Sequence, residues 1–121
     1  GMIAPNMATM LGFIFTDANI SRSVLQSILN DINQKTFNTI SVDGDESTND
    51  TVMLISTNSA KQKYINAKSD KRLRDFILKL NNVMASLSEQ IVRDGEGATK
   101  LIIINVDGAK KMTLLKLLLV Q

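Results

Sequence analysis

An α/β layered domain is the fold class that this sequence predicts, and three observations predict it. Four short apolar or β-branched runs read as strands: residues 9–16, 39–43, 51–57 and 100–107. Two longer stretches, one after Ser21 and one after Ser69, repeat their apolar residues with the 3.6-residue helical period. The links between these elements are short, and strands alternating with helices over short links belong to layered α/β folds. With 121 residues the chain has room for one domain and one modest core. Its hydrophobic fraction of 44% is that of a globular chain rather than a disordered one.

The first run, 9–16 (TMLGFIFT), is continuously apolar and ends in the turn-forming Asp17-Ala18-Asn19, as a buried strand does. Ser21 follows as a helix N-cap. Val24, Leu25, Ile28, Leu29 and Ile32 share one face behind it, and the residues between them are polar. That helix is expected to fade over 35–37. Residues 39–43 (TISVD) alternate and are β-branched, which predicts a short strand. A polar loop over 44–50 leads to a second buried strand at 51–57 (TVMLIST), and 58–68 reads as a surface loop.

Residues 69–94 carry the strongest helical pattern. Leu73, Phe76, Ile77, Leu80, Val83, Met84, Leu87 and Ile91 fall on one face. Ser69 is the expected N-cap, with Asp70 near the positive end of the dipole, and Gly95 the expected stop. Residues 100–107 (KLIIINVD) make the last strand, and Gly108 turns out of it. The closing stretch 110–121 (KKMTLLKLLLVQ) is nearly unbroken leucine on one half. It would expose a large apolar surface unless something covers it. Four strands and two long helices also cannot cover both faces of a sheet, so a further partner is expected: another chain, a second copy in a homo-oligomer, or a longer version of the same fold.

Composition removes several function classes. The formal charge of +2 is too weak a bias to argue for nucleic acid, and five aromatics (four Phe, one Tyr) make no base-stacking platform. With no cysteine there is neither a disulfide framework nor thiolate chemistry. With no histidine there is no Ser-His-Asp triad, no histidine-ligated zinc and no imidazole base. Chemistry here has to use hydroxyls, carboxylates, lysines or backbone dipoles. No metal site or cofactor is expected. No segment approaches the roughly 20 apolar residues of a membrane span, and the opening residues lack the pattern of a signal peptide, so a cytoplasmic protein without membrane contact is expected.

Three stretches invite a functional reading. The acidic loop Asp43-Gly44-Asp45-Glu46-Ser47-Thr48-Asn49-Asp50 superficially looks like a calcium loop. An EF-hand needs glycine at its sixth position and a bidentate carboxylate at its twelfth, and those places hold Thr48 and Leu54. A solvated turn is the better reading. Gly95-Glu96-Gly97 is either a helix stop with an exposed carboxylate or a place where the glycines let a ligand approach Glu96 closely. Thr9 is either an ordinary strand residue or a nucleophile. Ala8 before it is small, and a threonine can serve as its own nucleophile once its freed α-amine acts as base, which needs no histidine.

The string Gly1-Met2-Ile3-Ala4-Pro5-Asn6-Met7-Ala8-Thr9-Met10-Leu11-Gly12-Phe13 resembles the cleavage motif of the ornithine acetyltransferases, the bifunctional glutamate N-acetyltransferases of arginine biosynthesis. Two further blocks agree in order and spacing: Ser41-Val42-Asp43-Gly44-Asp45 with Ser47-Thr48-Asn49-Asp50-Thr51-Val52, and Gly95-Glu96-Gly97-Ala98-Thr99-Lys100. The resemblance runs from Gly1 to about Lys110. It implies self-cleavage of the Ala8–Thr9 bond, with Thr9 as catalytic and substrate-binding residue and Glu96 as the carboxylate that meets the substrate's ammonium group. It implies acetyl transfer from N-acetylornithine to glutamate through an acetyl-threonine, and a fold that is part of an αββα sandwich.

On this reading the chain is a single partial domain. Residues 1–8 are the end of an α-chain segment, and 9–110 are the N-terminal part of the β chain. Residues 110–121 are a divergent tail, as a shifted reading frame near Lys111 would produce. In the family the oxyanion-hole residues lie upstream, in the α-chain region, and other pocket residues lie beyond the C-terminal end. Loss of a single oxyanion donor costs about 10²–10³ in rate. The isolated chain is therefore expected to be uncleaved and inactive. The competing expectation is a non-enzymatic oligomeric interaction module that keeps the fold.

Overall fold

The computed structural model describes residues 10–41, 47–95 and 98–105. Two strands, β1 (Leu11–Thr16) and β2 (Thr51–Ser56), pair in parallel with Leu11 opposite Thr51 and Thr16 opposite Ser56. Between them the described chain runs through α1 (Arg22–Asn33) and a 3₁₀ turn, Phe37–Thr39. After β2 a long irregular segment leads to α2 (Leu73–Arg93). The result is the mixed α/β architecture that the alternation of patterns implied, and parallel pairing is what a helical crossover between neighbouring strands permits.

α1 forms where the sequence places it. Ser21 is its N-cap, and the Ser21 hydroxyl accepts the Val24 amide at 3.4 Å. Val24, Leu25, Ile28 and Ile32 are buried, and Leu29 packs against them. They meet Ile14 of β1, with Val52 and Leu54 of β2 beside it, and Leu73, Leu80 and Met84 of α2. Both helices thus contribute to one core on one face of the sheet. The opposite face, Leu11, Phe13 and Phe15 beside Met53 and Ile55, is exposed. β1 and β2 are therefore covered on one face only, not buried on both as their continuous apolar runs implied, because two helices leave the other face uncovered.

Several expectations are corrected. Residues 39–41 form no strand; 42 and 43 lie outside the described residues. Side-chain bonds capture the backbone there instead. The Thr36 hydroxyl donates to the Ile32 carbonyl at 3.0 Å and the Thr39 hydroxyl to the Thr36 carbonyl at 2.7 Å, closing a local turn in place of a ladder. The described part of the last expected strand, 100–105, is not paired either, and Ile102, Ile103 and Ile104 are exposed. An apolar run becomes a buried strand only where an edge and two covering layers await it. So two strands, rather than four, stand among the described residues.

α2 begins at Leu73, so Ser69 is not its cap. Asp70 instead holds a turn of its own, accepting the Arg72 amide at 2.9 Å and the Arg72 guanidinium at 2.5 Å. On the predicted apolar face Val83 is 46% exposed, while the unforeseen Ser88 is buried with its hydroxyl donated to the Ala85 carbonyl. Gly95 follows the end of α2, as expected. The loop over 58–68 is largely exposed but hides Ile65, which forms a parallel bridge with Ile20. The tail 110–121 lies outside the described residues.

Candidate functional site

The first two sequence blocks meet at the entrance of β1. The Met10 amide donates to Asp50 Oδ1 at 2.9 Å, and the Met10 carbonyl accepts the Thr51 amide at 2.9 Å. The residue that follows Thr9 is thereby clamped on both sides by consecutive residues of the Ser47–Val52 block. The local chemistry of that block explains how Asp50 comes to be there. The Ser47 hydroxyl accepts the Asn49 amide at 3.3 Å, and the Thr51 hydroxyl donates to the Asn49 carbonyl at 3.4 Å. Such short polar bonds turn the chain without a ladder, and β2 starts directly after the turn.

Gly12 of the first block lies opposite Val52. A methyl group added there would sit 3.6 Å from a Val52 methyl and 3.7 Å from the Met10 sulfur, which is ordinary contact. Among the described residues nothing demands the absence of a side chain at Gly12.

Ala8, Thr9 and Glu96 all lie outside the described residues. What is described is their immediate setting. Met10 carries the clamp just given. On the far side of Glu96, the Ala98 amide donates to the Gly95 carbonyl at 2.9 Å, and the Gly95 amide to the Val92 carbonyl at 3.3 Å. Those bonds are local to the end of α2. The structure therefore brings the first and second blocks together, and holds the start of the third by bonds of its own.

Asp50 is the residue that sequence reasoning missed, since it was grouped with a solvated acidic turn. A signal was present. A strand–helix–strand unit with neighbouring strands runs them parallel, so both strands start at the same end. The acid directly before β2 must then lie beside the residue directly before β1.

The carboxyl ends of the strands carry a different constellation. There a groove of about 230 Å³ is lined by Leu54, Ser56, Asn58, Ile20 and the α1 residues Arg22, Leu25, Gln26 and Leu29. Its polar groups are largely spent on one another. Asn58 Oδ1 accepts the Ile20 amide at 3.1 Å, and the Ser56 hydroxyl donates to the Ala18 carbonyl and accepts the Asn58 amide. Elsewhere on the surface, the Arg72 guanidinium hydrogen-bonded to Asp70 holds that carboxyl below the usual carboxylate range, and raises its own pKa in return. No helix among the described residues is long and apolar enough to cross a membrane.

Residues 1–116 match the ArgJ family model. The chain is 50% identical over 113 residues to the arginine biosynthesis bifunctional protein ArgJ of Bradyrhizobium diazoefficiens, covering 91% of this chain and 27% of that protein. It is 51% identical over 110 residues to the protein of the same name from Neisseria gonorrhoeae, with the same coverage. The chain thus spans about a quarter of the length of the curated relatives it matches. Among solved structures it resembles the arginine biosynthesis bifunctional protein ArgJ of Bacillus halodurans, with a TM-score of 0.70 at 43% identity. That match covers 75% of this chain and 42% of the other.

Proposed function

The chain belongs to the ArgJ family, and from that premise we propose that it is part of a glutamate N-acetyltransferase whose nucleophile is Thr9. In the first step Thr9 Oγ attacks the Ala8 carbonyl carbon. The Ala8–Thr9 amide bond breaks, the hydroxyl proton passes to the departing nitrogen, and an ester remains. Water hydrolyses the ester, leaving the Ala8 carboxylate and a Thr9 that carries both its hydroxyl and a free α-amine. That amine is the base a histidine-free chain needs.

In the transfer cycle the same hydroxyl takes the acetyl group from N-acetylornithine, releasing ornithine. The acetyl-threonine then passes the group to the amine of glutamate, which regenerates the hydroxyl. Glu96 pairs with a substrate ammonium group, a charge-assisted contact that orients the amino acid. The oxyanion donors belong to the family's α-chain region, so self-cleavage and transfer are expected of the chain together with that region. A cytoplasmic location and a homo-oligomeric state complete the reading.

The observation that carries it is the clamp at Met10. Two blocks separated by some forty positions meet at the residue next to the proposed nucleophile. The test is an assay of acetyl transfer from N-acetylornithine to glutamate, with and without a supplied α chain. Activity that appears only on complementation supports the reading, and its absence in both arms overturns it. The exposed sheet face of Phe13, Phe15, Met53 and Ile55 favours a second reading, a non-enzymatic oligomeric module. That reading expects self-association in sedimentation and no transfer in either arm.

A further inference from the structure

Among the described residues Asp50 forms no ion pair, and the hydrogen bond shown for its side chain goes to a single backbone group, the Met10 N–H at 2.9 Å. We propose that Asp50 is a positioning residue for the Thr9 nucleophile, acting through the Thr9–Met10 peptide. The inference rests on the reading of Thr9 given above and adds to it a residue that the sequence blocks alone did not single out.

The argument is geometric. A peptide unit is planar, so a bond that fixes the Met10 N–H fixes the plane that also holds the Thr9 carbonyl. Thr51 fixes the next plane through the Met10 carbonyl at 2.9 Å. Regular β1–β2 pairing starts with Leu11 opposite Thr51, so Asp50 extends the restraint by one peptide toward the scissile bond. Backbone pairing does not supply that restraint. An ionised acceptor makes this bond stronger than a neutral one. Attack by a side-chain hydroxyl on the carbonyl immediately before it depends on the backbone of its own residue. Displacement of a reacting group by roughly 1 Å costs about 10²-fold in rate.

The test uses the full chain complemented with the α-chain region, with hydroxylamine as the probe. Hydroxylamine attacks the ester carbonyl formed by Thr9, releases residues 1–8 as the hydroxamate and restores the Thr9 hydroxyl. The sequence contains no Asn-Gly pair to give background scission. Intact mass follows the rate in the wild type and in the variants D50A, D50N, T9A and S21A. A parallel measurement follows hydrogen exchange at the Met10 amide.

D50A is expected to slow release about tenfold or more and to speed exchange at Met10. D50N is expected to restore the rate to within about threefold, because its amide oxygen accepts the same N–H. S21A, which weakens the α1 cap far from Met10, is expected to lower the melting temperature and leave release unchanged. T9A is expected to abolish release. Wild-type release in D50A with none in T9A overturns the role of Asp50 and leaves Thr9 standing. Equal loss in D50A and D50N, a matching loss in S21A, or unchanged Met10 exchange in D50A overturns it as well. Undiminished release in T9A, or none in the wild type, overturns both readings.

Discussion

Asn58 holds the Ile20 amide at 3.1 Å from a left-handed backbone, φ 54°. Ile20 is almost fully buried and begins the turn into α1, so its N–H needs an internal acceptor. Asparagine is one of the few residues with a side chain that tolerate this backbone region. Position 58 therefore answers two demands at once, a conformation and a hydrogen bond.

Substitution separates those demands. Asn58→Gly keeps the backbone comfortable but removes one of the two acceptors of the Ile20 amide, the other being the Ala18 carbonyl at 3.0 Å, a loss of about 0.5–1.5 kcal/mol. Asn58→Ala adds roughly 1–2 kcal/mol for a Cβ in the left-handed region. Urea unfolding should rank wild type above glycine and glycine above alanine. Equal stability of the two variants would show that strain plays no part.

Two serines with the same sequence role should behave differently. Ser21→Ala removes a cap that is made, and should lose about 1 kcal/mol of stability. Ser69→Ala removes one that is not, since α2 starts four residues later at Leu73. It should stay within about 0.5 kcal/mol of the wild type. Thermal melts of the pair decide the point.

Neighbours on α2 should differ as sharply. Met84 is fully buried in the core and Val83 is 46% exposed, although the helical period put both on the apolar face. Met84→Ala should cost about 2–5 kcal/mol through the cavity it leaves. Val83→Ala should cost less than about 1 kcal/mol. Similar losses in denaturant titration would contradict the packing described.

The Asp70–Arg72 pair carries a pH dependence with a defined sign. Hydrogen bonding to Arg72 lowers the Asp70 pKa in the folded chain. Its contribution is therefore present above the ordinary carboxylate range and is lost as pH falls through the depressed folded value. Carboxyl-detected NMR titration should find the Asp70 midpoint below the usual range, moving up in Arg72→Ala. Because the pair is exposed, added salt should shrink the difference. A midpoint unmoved by Arg72→Ala would remove Arg72 as the cause.

The helices were legible because their signals are local. The spacing of Val24, Leu25, Ile28 and Ile32 and the hydroxyl of Ser21 act within a few residues of each other, so α1 could be read almost residue by residue. β1 and β2 were legible as apolar runs for the same reason. The runs at 39–43 and 100–107 carry similar signals and misled, because a strand is completed by an edge that its own residues do not contain. Thr36 and Thr39 found nearer partners, and Ile102 to Ile104 stand exposed.

At the candidate site the same division holds. Residue identity alone excluded imidazole and thiolate chemistry, and the three ordered blocks pointed to the family. Family membership then followed from the match over 1–116. The contact of Asp50 with Met10, across forty positions, had no local signature. Nor did the burial of Ile65 against Ile20, or the choice of which sheet face went uncovered. Periodicity and capping are short-range properties written along the chain. Register, long-range clamps and the exposure of a face depend on which elements meet, and that is settled by packing.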